Sequence, residues 1–182
     1  YHRHRLSRKF DHHQDYQKNR RKMSKKIRLG ILGGGGNSLI GVLHRIAANM
    51  FDKYEIVGGV FNPNFDENIT FAKTIGLNSS RVYKDYETLI SEECKLDSSE
   101  RMQAISVLTP NFLHYPMAKQ LLENDFHVIC EKPLTISYQE ALDLKRIKDE
   151  KNAVFGVTHT YTGYPMVRQM TKMISSLTVH SF

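Results

Sequence analysis

From Ile27 onward, short apolar runs rich in β-branched residues alternate with longer stretches of helical spacing. Strands are expected at Ile27–Leu32, Glu55–Phe61, Ala104–Leu108, Phe126–Cys130 and Ala153–Val157, with a short one near Arg81–Tyr83. Helices are expected near Ile40–Phe51, Asp66–Ile75, Tyr86–Glu93, Leu113–Glu123 and Tyr138–Lys151. Near-continuous apolar strands belong to a parallel sheet covered on both faces, and right-handed crossovers make such a sheet doubly wound. Two helix starts are legible: Ser137 and Glu140 have capping-box spacing, and Asn111 stands where it can cap the helix after Pro110. Ala141, Leu144 and Ile147 place one apolar stripe on the 138–151 helix.

Between the first strand and the first helix lies Gly33-Gly34-Gly35-Gly36-Asn37-Ser38-Leu39-Ile40-Gly41. In a Rossmann-type sheet this turn receives the pyrophosphate of a dinucleotide. Missing side chains let phosphate approach the peptide N–H groups, and the helix N-terminus adds positive partial charge. Gly33 and Gly35 fill the first two glycine places of the G-x-G-x-x-G pattern. Ser38 holds the third, and Gly41 fits better as the helix-packing glycine of a lengthened loop. The pattern also expects an acid about 20 residues on, at the end of the second strand, to bind the ribose 2′-hydroxyl. Counting from Gly41 gives Asn62, an amide that bonds a hydroxyl without repelling a 2′-phosphate. NAD and NADP therefore both remain open. Arg45 reads equally as a phosphate contact or as a solvated helix residue.

Composition excludes several classes. Among 182 residues the net charge is +7, yet residues 1–28 alone hold 11 Lys and Arg against Asp11 and Asp15. The rest carries 15 Lys and Arg against 17 Asp and Glu, so the folded part has no electrostatic reason to seek nucleic acid. No apolar run reaches the ~18–20 residues that span a bilayer, and no membrane association is expected. Cys94 and Cys130 form no CxxC pair, and no histidine cluster has metal-ligand spacing, so no metal is expected and a reduced, cytoplasmic setting is. Residues 1–25 form a basic tail expected to be disordered, because residues 1–22 lack any apolar period. Met23 reads as the natural start, with RNA binding by the tail as the competing reading.

Three later segments end successive strands: Thr109-Pro110-Asn111 with His114, Glu131-Lys132-Pro133, and Thr158-His159-Thr160-Tyr161. All fall at carboxyl ends of parallel strands, the edge where open α/β sheets bind ligands. Together with Gly41-x-x-His44 they resemble the glucose–fructose oxidoreductase / inositol dehydrogenase / rhizopine-catabolism family, over about Ile27 to Gln169. That resemblance implies a two-domain enzyme moving a hydride between NAD or NADP and a sugar, cyclitol or related hydroxyl carbon. It implies that Lys132 contacts substrate beside the nicotinamide, with Glu131 orienting cofactor or lysine and with a cis bond before Pro133. Gly33, Gly34, Gly35, Asn37, Ser38, Leu39, Ile40, Asn62, Thr109, Pro110, Asn111, His114, Glu131 and Lys132 are then the expected cofactor contacts. His159 and Tyr161 are the expected substrate contacts. An ammonium beside the reacting oxygen stabilises the charge that develops as a hydroxyl loses its proton.

The expected division is residues 26–160 as the NAD(P)-binding domain and 161–182 as the start of a second, α+β substrate domain that the sequence does not continue. Cofactor binding with little turnover follows from that reading, as does self-association through the face meant for the second domain. A non-catalytic dinucleotide-binding or partner-binding module is the alternative.

Overall fold

The computed structural model describes residues 26–176. The basic tail at 1–25 and the closing 177–182, including His180, lie outside the described residues. Five parallel strands form one sheet: β1 Ile27–Gly33, β2 Tyr54–Val60, β3 Ala104–Leu108, β4 His127–Cys130 and β5 Phe155–Val157. Six helices accompany them: α1 Leu39–Met50, α2 Phe65–Thr74, α3 Tyr86–Glu93, α4 His114–Glu123, α5 Tyr138–Glu150 and α6 Pro165–Ser176. The spatial order is β2-β1-β3-β4-β5. The chain builds outward from β1 to β2, then returns to the other side of β1, so the order reverses between β1 and β3. That reversal opens a crevice at the strands' carboxyl ends.

Most strands lie where expected. The short strand near Arg81–Tyr83 does not form: Ser79–Arg81 is a 3-10 turn, and only an isolated bridge joins Val82 to Gly59 at the outer edge of β2. Asn68 explains the arrest. Its buried amide accepts from the Phe61 amide at 2.7 Å and donates to the Tyr83 carbonyl at 2.7 Å, taking the place of further ladder bonds. The same contact ends β2 at Val60 rather than Phe61. β4 starts at His127 because the Phe126 amide turns back to the Leu121 carbonyl, and β5 starts at Phe155 because the Ala153 amide closes on Lys148.

Of the two expected caps, Ser137 holds, accepting from the Glu140 amide at 3.3 Å. Glu140 completes the motif one residue early, on the Ile136 amide at 3.1 Å. Asn111 does not cap. It opens a 3-10 turn, Asn111–Leu113, whose start has no side-chain cap, and α4 continues from it. On α5, Leu144 and Ile147 are buried and Ala141 is partly so.

The core lies on both faces of the sheet. Leu89, Leu121, Leu122, Leu144 and Ile147 from α3, α4 and α5, with Phe126 from the loop after α4, pack onto Ile105, Val107 and Val128. Ile31, Phe61 and Ala72 fill the space under α2, and Leu29, Ala48 and Ala104 that under α1. A buried carboxylate closes one end. Glu93, 0% exposed, accepts from Arg81 at 2.6 to 3.0 Å, from the Tyr83 hydroxyl at 2.6 Å and from the Met102 amide at 2.7 Å. Burial, and after it the Glu93 carboxylate, push the Tyr83 hydroxyl well above its ordinary value, so it acts as a fixed donor. Among the described residues, no helix is long and apolar enough to cross a membrane, and no cluster of His, Cys, Asp and Glu suits a metal ion.

Candidate cofactor and active site

The glycine turn is held open by close backbone packing. Gly34 sits at φ +69°, a region that side chains disfavour, and its carbonyl lies against α1. A Cβ on Gly41 would meet that carbonyl oxygen at 1.8 Å, which makes Gly41 the helix-packing glycine. Ser38 caps α1, its hydroxyl accepting from the Gly41 amide at 3.1 Å, and its own amide donates to the Gly35 carbonyl at 3.1 Å. The amides of Gly36, Asn37, Leu39 and Ile40 have no acceptor among the described residues. They stand at and just before the N-terminus of α1, where free donors suit a pyrophosphate. Arg45 holds the loop. Its Nη1 donates to the Gly34 carbonyl at 2.7 Å and its guanidinium covers the Phe71 ring at 5.0 Å.

Register brings the other expected residues to the same edge. Gly33 pairs with Leu108, and Val107 with Cys130, so the glycine turn, Thr109 and Glu131-Lys132 leave neighbouring strand ends together. A cavity of about 550 Å³ is lined by Gly33, Gly34, Gly35, Asn62, Thr109 and Pro110, with Leu32, Val60, Leu108 and Leu113 as its apolar wall. Lys84, Asp85 and Tyr86 also line it, and sequence reasoning passed over them. Asn111 is exposed and lines no part of it.

The Lys132–Pro133 bond is cis. Lys132 is exposed, and its ammonium has no hydrogen-bond or ion-pair partner among the described residues. Glu131 is 7% exposed. One oxygen accepts from the Lys132 amide at 3.2 Å, and the other lies 3.0 Å from His44 Nε2. His44 Nδ1 is 3.2 Å from the buried Ser106 hydroxyl. With Nε2 donating to the carboxylate, Nδ1 accepts from Ser106, and every member of the chain is satisfied. In the sequence, the signal for His44 is the Gly41-x-x-His44 spacing, one helical turn past the packing glycine.

His114, expected among the cofactor contacts, is 1% exposed beneath the site. Its ring nitrogens lie 2.7 Å from the Pro133 carbonyl and 2.8 Å from the Thr109 carbonyl, so the ring ties two ligand-edge loops together instead of facing the cleft. His159 lines a second cavity of about 640 Å³, shared with Ile40, His44, Glu131 and Thr158. Tyr161 lines neither cavity; it is exposed and packs edge-on against Tyr164 at 5.5 Å. Cys130 is fully buried, and burial followed by the nearby Glu131 carboxylate pushes its thiol up to about 12.

An all-parallel sheet in this order, with bare amides at the start of its first helix, defines a dinucleotide-binding Rossmann domain. Comparison with known proteins carries this further. A family model described as an oxidoreductase family with an NAD-binding Rossmann fold matches residues 27–159. The oxidoreductase YfiI of Bacillus subtilis is 34% identical over 153 residues, 84% of this chain and 38% of the relative. The scyllo-inositol 2-dehydrogenase (NADP(+)) IolW of the same organism is 28% identical over 144 residues, 78% of this chain and 35% of that one. Among solved structures, an inositol dehydrogenase homolog from Azotobacter vinelandii, complexed with NADH and myo-inositol, superposes with TM-score 0.80 at 37% identity, over 84% of this chain and 40% of that chain. The chain belongs to the glucose–fructose oxidoreductase / inositol dehydrogenase / rhizopine-catabolism family, and carries its NAD-binding domain. It spans about two fifths of the length of these relatives.

Proposed function

We propose that this chain supplies the cofactor half of a dehydrogenase that oxidises a hydroxyl carbon of a sugar, cyclitol or related polyol to the carbonyl. The observation that carries the reading is the shared edge: the amides at the start of α1 and the Lys132 ammonium, without partners among the described residues, leave the same end of one sheet. The amides of Gly36, Asn37, Leu39 and Ile40 bind the pyrophosphate. Gly33, Gly34 and Gly35 keep side chains out of its approach, and Ser38 holds the turn. Asn62 meets the adenosine ribose, while Thr109 and Pro110 border the path toward the nicotinamide. Bound NAD(P) supplies the hydride acceptor.

Lys132 faces the hydroxyl being oxidised. Its ammonium stabilises the developing alkoxide and relays the proton, passing one of its own to solvent as it takes up that of the hydroxyl. Glu131 fixes the turn that carries Lys132, and His114 braces that turn against Thr109. His159 borders the substrate side. The inositol ligand of the Azotobacter vinelandii homolog and the inositol named for IolW support a polyol as the substrate class. A single comparison tests the proposal. Lys132→Met is expected to leave NADH affinity within about threefold while abolishing any polyol-dependent reduction of NAD. Polyol-dependent reduction of NAD that persists undiminished in the variant would overturn it, as would loss of NADH affinity together with it. The lost reaction corresponds to a contribution of about 10²–10⁴-fold from a positioned acid or base.

A further inference from the structure

Relatives of this chain carry either form of the cofactor in their names, NADH in the Azotobacter vinelandii homolog and NADP(+) in IolW. The residue counted to the ribose position, Asn62, is neutral, but the structure does not leave that position neutral. Asn62 Nδ2 donates to Glu67 Oε2 at 2.7 Å, and Asn62 Oδ1 accepts from the Asn64 amide at 2.8 Å. Asn64 caps α2, accepting from the amides of Asp66 at 3.0 Å and Glu67 at 3.2 Å. The cap fixes Glu67 in the first turn of α2, from where its carboxylate reaches back over the end of β2.

We propose that Glu67 is the specificity-determining residue of the cofactor site, and that this chain takes NAD in preference to NADP. The inference rests on the cofactor-domain reading and deepens it. A 2′-phosphate placed at Asn62 would lie against a carboxylate, whereas a 2′-hydroxyl can donate to it. The N-terminus of α2 offers no compensating anion site, because Asn64 already occupies its amides and Asp66 and Glu67 add negative charge there. Of the nearby cations, Arg45 donates to the Gly34 carbonyl, and Lys84, which lines the same cavity, lies 3.8 Å from the carboxylate of Asp85, which lines it too. Like charges a few ångströms apart near a protein surface make a discrimination of about tenfold or more, and salt weakens it.

The test is titration of the full chain with NADH and with NADPH, followed by nicotinamide fluorescence or calorimetry. The expected result is a lower Kd for NADH by about tenfold or more, a ratio that shrinks as salt is raised. Glu67→Gln is expected to move the ratio toward unity by about tenfold. Equal or tighter NADPH binding by the unchanged protein would overturn the inference, as would a ratio that Glu67→Gln leaves unmoved. Absence of binding by either nucleotide would instead overturn the cofactor-domain reading beneath it, so the two failures are distinct.

Discussion

His44 Nε2 and Glu131 Oε1, 87 residues apart in the chain, lie 3.0 Å from each other at the ligand edge of the sheet. Both side chains are largely buried, and Glu131 in turn accepts from the amide of Lys132. Helix α1 thereby braces the turn that presents the ammonium. His44→Ala leaves a buried carboxylate short of a donor, and is expected to cost about 1–3 kcal/mol. Thermal or urea unfolding checks this; a change below about 0.5 kcal/mol would mean that solvent replaces the histidine without cost.

Gly41→Ala forces a methyl group onto the Gly34 carbonyl, where a Cβ would sit at 1.8 Å. The loop or the helix must move. A loss of stability of about 1–3 kcal/mol is expected from the overpacking. NADH affinity should fall by at least about tenfold, since the displaced loop carries the amides that meet the pyrophosphate. An alanine variant with unchanged affinity would show that the loop geometry does not govern binding.

Glu93 predicts a purely structural effect. Removing its side chain in Glu93→Ala strands Arg81, the Tyr83 hydroxyl and the Met102 amide together. Breaking a buried ion pair in this way costs about 3–5 kcal/mol. Unfolding by denaturant measures it, and a drop smaller than about 1 kcal/mol would indicate that the cluster is replaced by water.

The cysteines differ in chemistry. Cys94 is exposed, while Cys130 is fully buried with its thiol held near 12, so almost no Cys130 thiolate exists at neutral pH. An alkylating reagent applied to native protein should label Cys94 alone, and both residues after unfolding. Peptide mapping decides between this and equal labelling.

Asp143 links α4 to α5. Lys119 first, then Arg146 and the Tyr115 hydroxyl, hold its carboxyl well below the usual range. A depressed carboxylate stabilises the fold above its ordinary pKa, about 3.9, and that stabilisation is lost as pH falls through the lowered value. Asp143→Asn should therefore lower Tm at neutral pH, with the gap to the unchanged protein narrowing as the solution is acidified. A gap independent of pH would contradict the assignment.

The sheet was legible in the sequence because its strands are buried on both faces, and apolar runs such as Ile27–Leu32 carry that signal locally. The glycine turn was legible for a similar reason, since phosphate-binding turns exclude side chains in sequence order. What escaped were contacts that only the fold creates. Asn68 arrests the Val82 segment from 15 residues away from Tyr83, and His44 meets Glu131 across two crossovers. Glu67 supplies the acid missing at Asn62 from five residues downstream, a geometry set by the Asn64 cap rather than by spacing along β2. His114 showed the reverse: its place after a strand end suggested a ligand contact, and burial turned it into a brace between Thr109 and Pro133.

Nitrogen-edited NMR of the protein titrated with NADH tests the central claim most directly. The account requires the amide resonances of Gly36, Asn37, Leu39 and Ile40 to move first and furthest, with smaller shifts at Thr109 and Lys132. Saturable binding that leaves those four amides undisturbed would contradict it, and so would the absence of any shift at saturating nucleotide.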